Sequence, residues 1–298
     1  MRGPSSSHTA ASVRIGLLGR RLLGEEPVYA KFTFDPSGSL ATTYRGQGSA
    51  MGLAGGLLGM EMSDNDLVRS EDISREKGLK IEYVIEDRGD THPNTYNVLL
   101  RGTSGQEITF KALSTGGGIV SLEEINGKKV EDDSEYINSL LPLPVDKSPS
   151  MPFSDIYEIK SMVEERGGLL SDYALVWESA IGNVSEEKIM QLAVSVAGIM
   201  KDSITKGLEG TEYADRILHR QSHLLSGKPS VGQLIPADIS NRIIQSVTAI
   251  MEVKSSMGLI VAAPTAGSCA ALPGSLLTVA EIVSKSEHEI TRALLTGG

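Results

Sequence analysis

The stretch LPLPVDKSPSMP, residues 141–152, separates two halves of the chain that differ in sequence pattern. It holds four of the twelve prolines, and an acidic stretch at residues 131–135 precedes it. Because proline lacks a backbone donor and interrupts helices and strands, such a stretch is typical of a linker. The sequence therefore predicts a domain over residues 1–140, a proline-rich linker over 141–152 and a second domain over 153–298.

The half before the linker mixes predicted strands with predicted helices. Alternating or β-branched apolar runs predict strands over residues 28–34, 39–44, 80–85, 96–100 and 108–113, and a hairpin turn at 125–127. Apolar residues at a spacing of three and four predict helices over residues 9–23, ended by Gly24, and over 49–60. This order favours an α+β domain over repeated βαβ units.

The half after the linker is predicted to be almost wholly helical. Helices are expected over residues 153–165, from an N-cap at Ser185 onward, and over 238–253. The fold class predicted for the chain is therefore α+β, with an N-terminal mixed α/β-sheet domain followed by a mostly α-helical domain.

The bulk composition narrows the classes of function. A formal net charge of −10 argues against a nucleic-acid-binding protein, which usually shows a basic patch. No apolar run reaches the roughly 18 residues of a membrane span, and the N-terminus lacks the apolar core of a signal peptide. We therefore expect a cytoplasmic protein with no membrane partner. Cys269 is the one cysteine, so no disulfide forms within the chain.

Residues 3–9, GPSSSHT, place four hydroxyl side chains around His8 directly before a predicted helix. The first N–H groups of a helix lack internal partners and attract anions, and histidine changes charge near neutral pH. This pattern indicates a pocket for a carboxylate or a phosphate. The alternative is a simple helix cap at Ser7 or Thr9, with His8 on the surface.

Three further stretches in the first half have the composition of ligand-binding loops: YRGQGSAMGLAGG at 44–56, THPNT at 91–95 and STGGGIV at 114–120. His92 and Asn94 are suited to orient a polar ligand, and successive glycines let a backbone pass close to a ligand. Each stretch is also compatible with an ordinary turn, because glycine, proline and asparagine are the common residues of turns.

In the second half, PTAGSCAALPG at 264–274 interrupts an apolar run, and we expect this segment to be buried. Thr265, Ser268 and Cys269 would present polar atoms into a pocket, and close helix packing is the alternative. His219 and His223 have i, i+4 spacing but lack a recognisable third ligand. The sequence therefore predicts no metal-ligating residues.

Taken in order, five stretches resemble the bacterial iron–sulfur-dependent L-serine dehydratases, also called L-serine ammonia-lyases. These are GPSSSHTAASVRIG, SLATTYRGQGS, THPNT, STGGG and APTAGSCAALPG. The first four resemble that family's β part and the last its α part, so the resemblance covers essentially the whole chain. It implies a lyase of amino-acid catabolism and gluconeogenesis that converts L-serine to pyruvate and ammonia with a [4Fe–4S] cluster. We also expect a homodimer.

The resemblance implies a substrate site that draws on both halves of the chain. His8 or His92 would be the base that removes the α-proton, with no choice between them. The residues that would line the site are Ser5, Ser6, Ser7, Thr9, Asn94, Gly116, Gly117, Gly118, Thr265, Ala266, Gly267 and Ser268.

Two positions depart from the family pattern. Gln47 stands where the family often has a histidine, and Cys269 alone cannot hold a cluster that needs three thiolates. We therefore expect an incomplete chain that lacks the cluster ligands and is inactive alone. Two other functions stay open: a non-catalytic amino-acid-binding or assembly module, and a related lyase acting on L-threonine or L-cysteine.

Overall fold

A computed structural model describes residues 1–141, 149–214, 218–225 and 238–297. The chain divides into two units, Met1–Pro142 and Leu143–Gly298. Residues 142–148, which make up most of the predicted linker, lie outside the described residues. The predicted domain and linker boundaries stay predictions.

The first unit combines a six-stranded sheet with short and long helices. Its helices are α1 (Ser6–Leu23), α2 (Leu40–Thr43), α3 (Ser49–Leu57), α4 (Ser70–Glu76) and α5 (Ser134–Asn138), with a 3₁₀ turn at Asn65–Arg69. Its strands are β1 (Pro27–Phe34), β2 (Lys80–Ile85), β3 (Thr95–Gly102), β4 (Glu107–Gly116), β5 (Ile119–Ile125) and β6 (Lys128–Lys129). Together with the helices that follow, this confirms the predicted α+β fold.

The sheet has the strand order β2-β1-β3-β4-β5-β6. Strand β1 runs parallel to β2, with Phe32 opposite Tyr83, and antiparallel to β3, with Phe32 opposite Val98. The remaining neighbours are antiparallel. At the predicted hairpin between β5 and β6, Asn126 and Gly127 have φ angles of 49° and 75°, as a tight two-residue turn requires.

Helices α1 and α3 pack together over one face of the sheet, and they cross where glycines replace side chains. A Cβ atom on Gly16 would lie 2.7 Å from the Leu53 carbonyl oxygen, and one on Gly56 would lie 2.2 Å from that of Val13. The helices therefore approach more closely than any side chain at these positions allows. The core around this crossing includes Ile15, Leu18, Phe32, Leu57 and Leu100.

The predicted strand over residues 39–44 was wrong, because this segment forms α2 instead. Strand β1 already has β2 on one side and β3 on the other, so neither of its edges is left for a returning strand. The backbone N–H of Ser39 donates instead to the Pro93 carbonyl at 2.9 Å. The ring of Tyr44 lies 4.8 Å from that of Tyr83, and this contact fixes the end of the segment.

The second unit is helical within its described residues, as predicted. Its helices are α6 (Ile156–Arg166), α7 (Leu170–Gly182), α8 (Glu186–Glu209), α9 (Asp238–Ser255), α10 (Ala271–Ile282) and α11 (Glu287–Gly297), with a 3₁₀ turn at Ser222–Leu225. The predicted N-cap is confirmed, since the Ser185 hydroxyl accepts from the Lys188 N–H at 3.3 Å. None of the helices within the described ranges combines the length and apolar character that crossing a membrane requires.

Candidate active site

The GPSSSHT stretch forms the first turns of α1, which begins at Ser6 with Ser5 as the N-cap residue. The Ser5 hydroxyl lies 2.6 Å from Nδ1 of His8, and the Ser6 hydroxyl donates to the Gly3 carbonyl at 2.7 Å. Because the helix starts earlier than expected, Ser7 and Thr9 lie inside it. The interpretation of either residue as the helix cap was therefore wrong.

The glycine-rich loop at 44–56 lies against the start of α1. The Thr9 hydroxyl is placed to donate to the Gln47 carbonyl at 3.2 Å and to the Ser5 carbonyl at 3.3 Å. Gly48 has a φ of 88° and serves as the N-cap residue of α3, a conformation that favours glycine. The loop is therefore a turn, and its carbonyl contact places Gln47 beside the predicted site.

The THPNT stretch forms a turn that leads into β3, and His92 is held within it. The Asn94 N–H donates to Nδ1 of His92 at 3.2 Å, and the Thr95 hydroxyl donates to the His92 carbonyl at 2.8 Å. Ser39 donates its hydroxyl to Oδ1 of Asn94. Because Nδ1 of His92 accepts a hydrogen bond, the neutral ring carries its proton on Nε2.

Two carboxylates fix the loop that precedes His92. Asp35, which is 6% exposed, accepts from the N–H groups of Arg88 at 2.9 Å and Asp90 at 3.2 Å. The Asp90 carboxylate in turn accepts from Lys111 Nζ at 2.8 Å and from Asn97 Nδ2 at 2.6 Å. Hydrogen bonds to the Asp35 carboxylate and from the sheet residues Asn97 and Lys111 therefore hold residues 88–90 in place.

We expect the bonds to Asp35 to make the stability of the fold sensitive to acid. The hydroxyl and N–H of Ser37 and the N–H of Arg88 hold the pKa of the Asp35 carboxyl well below its usual range. A carboxylate with a lowered pKa stabilises the fold above the pKa of an unfolded aspartate, about 3.9, and this contribution is lost as the pH falls below it. We expect Asp35→Asn to lower the urea midpoint at pH 7 and to flatten its fall between about pH 5 and pH 3.

The matched control for this prediction is Asp87→Asn, at an exposed aspartate that accepts from the Gly89 N–H. It should leave the urea midpoint and its pH dependence close to those of the wild type. An Asp35→Asn protein with the wild-type pH dependence would contradict the role assigned to Asp35.

The three successive glycines form the turn between β4 and β5. Gly116, Gly117 and Gly118 have φ angles of 110°, 61° and 84°, in the region that favours glycine. A Cβ atom on Gly118 would lie 2.8 Å from that of Ala10, so this turn approaches α1 closely. The Gly118 carbonyl accepts a hydrogen bond from Arg14 on α1.

A buried tyrosine ties α1 to the strand that carries the His92 loop. The Tyr96 hydroxyl lies 3.1 Å from that of Ser12, and burial raises the pKa of this phenol. The structure thus brings the glycine loop and the three-glycine turn against α1, and Tyr96 joins α1 to the strand that follows THPNT. Within residues 1–141, however, the hydrogen bonds of His8 and those of His92 share no partner.

The PTAGS segment of the second unit is a hydrogen-bonded turn before α10. The hydroxyls of Thr265 and Ser268 lie 2.9 Å apart, and Lys254 Nζ donates to the Ala266 carbonyl at 3.0 Å. Thr265 and Gly267 are exposed while Cys269 is buried, so the expectation of a wholly buried segment was wrong. The role of Thr265 to Ser268 in substrate binding stays a prediction.

The two histidines with i, i+4 spacing do not share an α-helix. His223 lies in the 3₁₀ turn, His219 precedes it, and both side chains are exposed. Within the ranges that the structure describes, no three or more histidine, cysteine, aspartate or glutamate side chains cluster as metal ligands would.

Sequence reasoning missed three residues that shape this site: Arg14, Asp35 and Ser39. Arg14 follows Ser7 and Ala10 at helical spacing and interrupts an apolar run, which is the local signal that marks it. Asp35 and Ser39 sit in turns, and the partners that link them to the His92 loop, Arg88 and Asn94, are more than fifty residues away in the chain. No local pattern identifies such contacts.

The chain matches one protein family and is similar to several known proteins. Residues 75–298 match the family model of the serine dehydratase alpha chain. Over 127 residues the chain is 39% identical to the probable L-serine dehydratase beta chain of Bacillus subtilis (strain 168), which covers 43% of this chain and 56% of the relative. Over 184 residues it is 30% identical to the L-serine dehydratase beta chain of Peptoniphilus asaccharolyticus, covering 60% of this chain and 82% of the relative.

The same chain is also similar to an alpha chain. It is 30% identical over 151 residues to the probable L-serine dehydratase alpha chain of Bacillus subtilis (strain 168), which covers 49% of each. The chain thus spans about half the length of these two Bacillus relatives, at 56% and 49%. One polypeptide here is similar to both kinds of chain.

Proposed function

Because the chain belongs to the serine dehydratase alpha chain family, we propose that it carries the substrate-binding part of an L-serine dehydratase, a lyase that converts L-serine to pyruvate and ammonia. The observation that carries the proposal is His8 in the first turn of α1, with Nδ1 beside the Ser5 hydroxyl. A base next to a helix N-terminus suits the removal of a proton from a substrate that bears a carboxylate.

His8 is the residue that we assign as the base. When Nδ1–H donates to the Ser5 hydroxyl oxygen, Nε2 presents a lone pair that can accept the α-proton of L-serine. As the proton passes to Nε2, the Cα–H electron pair forms the Cα–Cβ double bond, and the β-hydroxyl departs and is protonated to water. The aminoacrylate that results tautomerises to an imine, which takes up water and gives pyruvate and ammonia. The Ser5 hydroxyl oxygen can accept from Nδ1–H, and this is the tautomer that we assign to the reacting ring.

His92 takes a different role in this proposal. Its Nδ1 already accepts from the Asn94 N–H, so the neutral ring offers Nε2–H as a donor rather than a lone pair. The Nε2–H group of His92 could therefore donate a hydrogen bond to an oxygen atom of the substrate. The proposal thereby chooses between the two histidines that the sequence left as alternatives.

The iron–sulfur cluster that the resemblance implies does not fit the cysteine content of this chain. Cys269 is the one cysteine in 298 residues, and its side chain is buried. Burial raises the pKa of its thiol, whereas cluster ligands are thiolates. We propose that the functioning enzyme takes its cluster ligands from polypeptide other than these residues.

We also propose that the enzyme is cytoplasmic and forms a homodimer. A lone cysteine is consistent with a reducing compartment.

A reconstitution experiment checks the statement about the cluster. Protein of this sequence, incubated anaerobically with ferrous iron and sulfide, is expected to gain no brown chromophore after desalting, because one thiol cannot hold the cluster. A stoichiometric cluster on the wild-type chain would show that its ligands are among these residues.

The test of the proposed reaction is an assay of 2-oxo acid formation by the complete enzyme that contains this chain. With L-serine, L-threonine and L-cysteine supplied separately, L-serine is expected to give the highest kcat/KM. A preference for either of the other two would identify a related lyase. Binding of L-serine in calorimetry without any 2-oxo acid would instead identify an amino-acid-binding module.

A further inference from the structure

Arg14 is a half-buried cation on α1, and no carboxylate in the described residues pairs with it. Its bond to the Gly118 carbonyl is its one hydrogen bond within those ranges. Two other arginines of the first unit have more hydrogen-bond partners: Arg20 pairs with Glu26, and Arg2 donates to the carbonyls of Met62 and Ser63. Burial lowers the pKa of Arg14, which reflects the cost of holding an unneutralised charge there.

The guanidinium of Arg14 reaches back toward the start of α1. Side chains on a helix lean toward its N-terminus, so residues 7, 10 and 14 share one face. The position that a Cβ atom on Gly118 would occupy is 2.8 Å from Ala10 Cβ and 3.3 Å from Arg14 Nη1. The cation therefore lies at the level of Ala10, one turn of helix from Ser7.

Ser7 is a hydroxyl-bearing residue on the same face of α1 as Arg14. Its side chain is half-buried, and its hydroxyl makes no hydrogen bond within residues 1–141. A free hydroxyl and the remaining N–H groups of a guanidinium thus face the same side of the helix. An arginine presents five N–H donors in a planar fork, and the Gly118 carbonyl occupies one of them.

We propose that Arg14 binds the carboxylate of the substrate, with Ser7 as a second donor. A carboxylate matches the fork of a guanidinium and would neutralise a half-buried charge that no carboxylate of the described ranges pairs with. This inference rests on the proposed function, because it takes L-serine as the ligand. It differs from the anion pocket expected from the sequence, which drew only on serine hydroxyls and the helix N-terminus.

Calorimetry on the full chain tests the proposal with two ligands, L-serine and L-serinamide. The amide keeps the amine and the hydroxyl but replaces the carboxylate with a neutral group. The wild type is expected to prefer L-serine. Arg14→Met is expected to weaken L-serine binding by about 10- to 100-fold, as for loss of a charge-assisted hydrogen-bond pair, and to leave L-serinamide binding unchanged. Arg14→Lys, which keeps the charge and loses the fork, should lie between.

The control variant is Arg101→Met, at an exposed arginine paired with Glu107 on the sheet. It should bind both ligands as the wild type does. Wild-type L-serine affinity in Arg14→Met would overturn the proposal, as would an equal loss for both ligands, since that would show that Arg14 only supports the three-glycine turn. If Arg14→Met does not fold, the Arg14→Lys comparison decides in the same way: unchanged preference for L-serine overturns the proposal.

Acetate binding tests the carboxylate site at Arg14 independently of whether L-serine is the substrate. If the wild type binds no L-serine but acetate shifts its amide NMR signals near Arg14, and these shifts vanish in Arg14→Lys or Arg14→Met, the carboxylate site stands and the assigned substrate is wrong. If neither L-serine nor acetate binds the wild type, the carboxylate site is overturned as well.

Discussion

Replacing His8 with alanine is expected to lower kcat of the complete enzyme by about 10²- to 10⁴-fold, the usual contribution of a general base. The reason is the position of its ring: Nδ1 lies 2.6 Å from the Ser5 hydroxyl, and Nε2 is the nitrogen that we assign to accept the α-proton. L-Serine binding should change much less, because the ring is assigned to the proton and not to the carboxylate. Steady-state kinetics with parallel circular dichroism, to establish folding, measure both effects.

A pair of glutamine variants distinguishes His8 from His92. The amide nitrogen of glutamine can replace a donor at Nε2, but it accepts no proton at neutral pH. His92→Gln should therefore keep kcat within about tenfold of the wild type, whereas His8→Gln should be as impaired as His8→Ala. If His92→Gln shows the larger loss, the base is His92. Near-normal kcat in His8→Ala removes His8 from the mechanism.

Gly56→Ala is expected to destabilise the full chain by about 3 kcal/mol, at the upper end of what overpacking in a core usually costs. A Cβ atom there would lie 2.2 Å from the Val13 carbonyl oxygen and 2.8 Å from the Gly16 Cα. Both are backbone atoms of α1, so no rotamer change relieves the clash, and the helices must separate. Urea unfolding followed by far-UV circular dichroism measures the loss.

The control is Gly198→Ala in α8. This glycine is also helical, but a Cβ atom on it meets nothing within 4 Å. Alanine is the better helix former by about 1 kcal/mol, so this variant should be as stable as the wild type or more so. Equal stability of Gly56→Ala and wild type would show that the α1–α3 crossing tolerates a methyl group.

Elements with a strong local signal were predictable. Helix α1 ends at Gly24, whose φ of 74° and N–H bond to the Arg20 carbonyl form the expected glycine cap. Ser185 caps α8 through its own hydroxyl, three residues from its partner. Such signals are contained within a few residues, so the chain itself displays them.

Elements whose form depends on neighbours were not predictable. Residues 39–44 have the composition of a strand, yet both edges of β1 are occupied by strands that come later in the sequence. Propensity is a weak preference that such packing overrides. The start of α1 was placed too late for a different reason: Ser5 is the N-cap residue but makes no side-chain cap hydrogen bond, so the usual local signal of a helix start is lacking.

The sequence by itself determined the α+β class, the sheet-then-helix order and the motifs that indicate a serine dehydratase. Only the tertiary structure decided which side chains stand together: the Thr9 hydroxyl with the Gln47 carbonyl, and Arg14 with the Gly118 turn. The physical reason is distance along the chain. Helix periodicity and turns are determined by neighbouring residues, whereas these two contacts join residues that are 38 and 104 positions apart. Only the packing of the helices against the sheet brings such residues within hydrogen-bond distance.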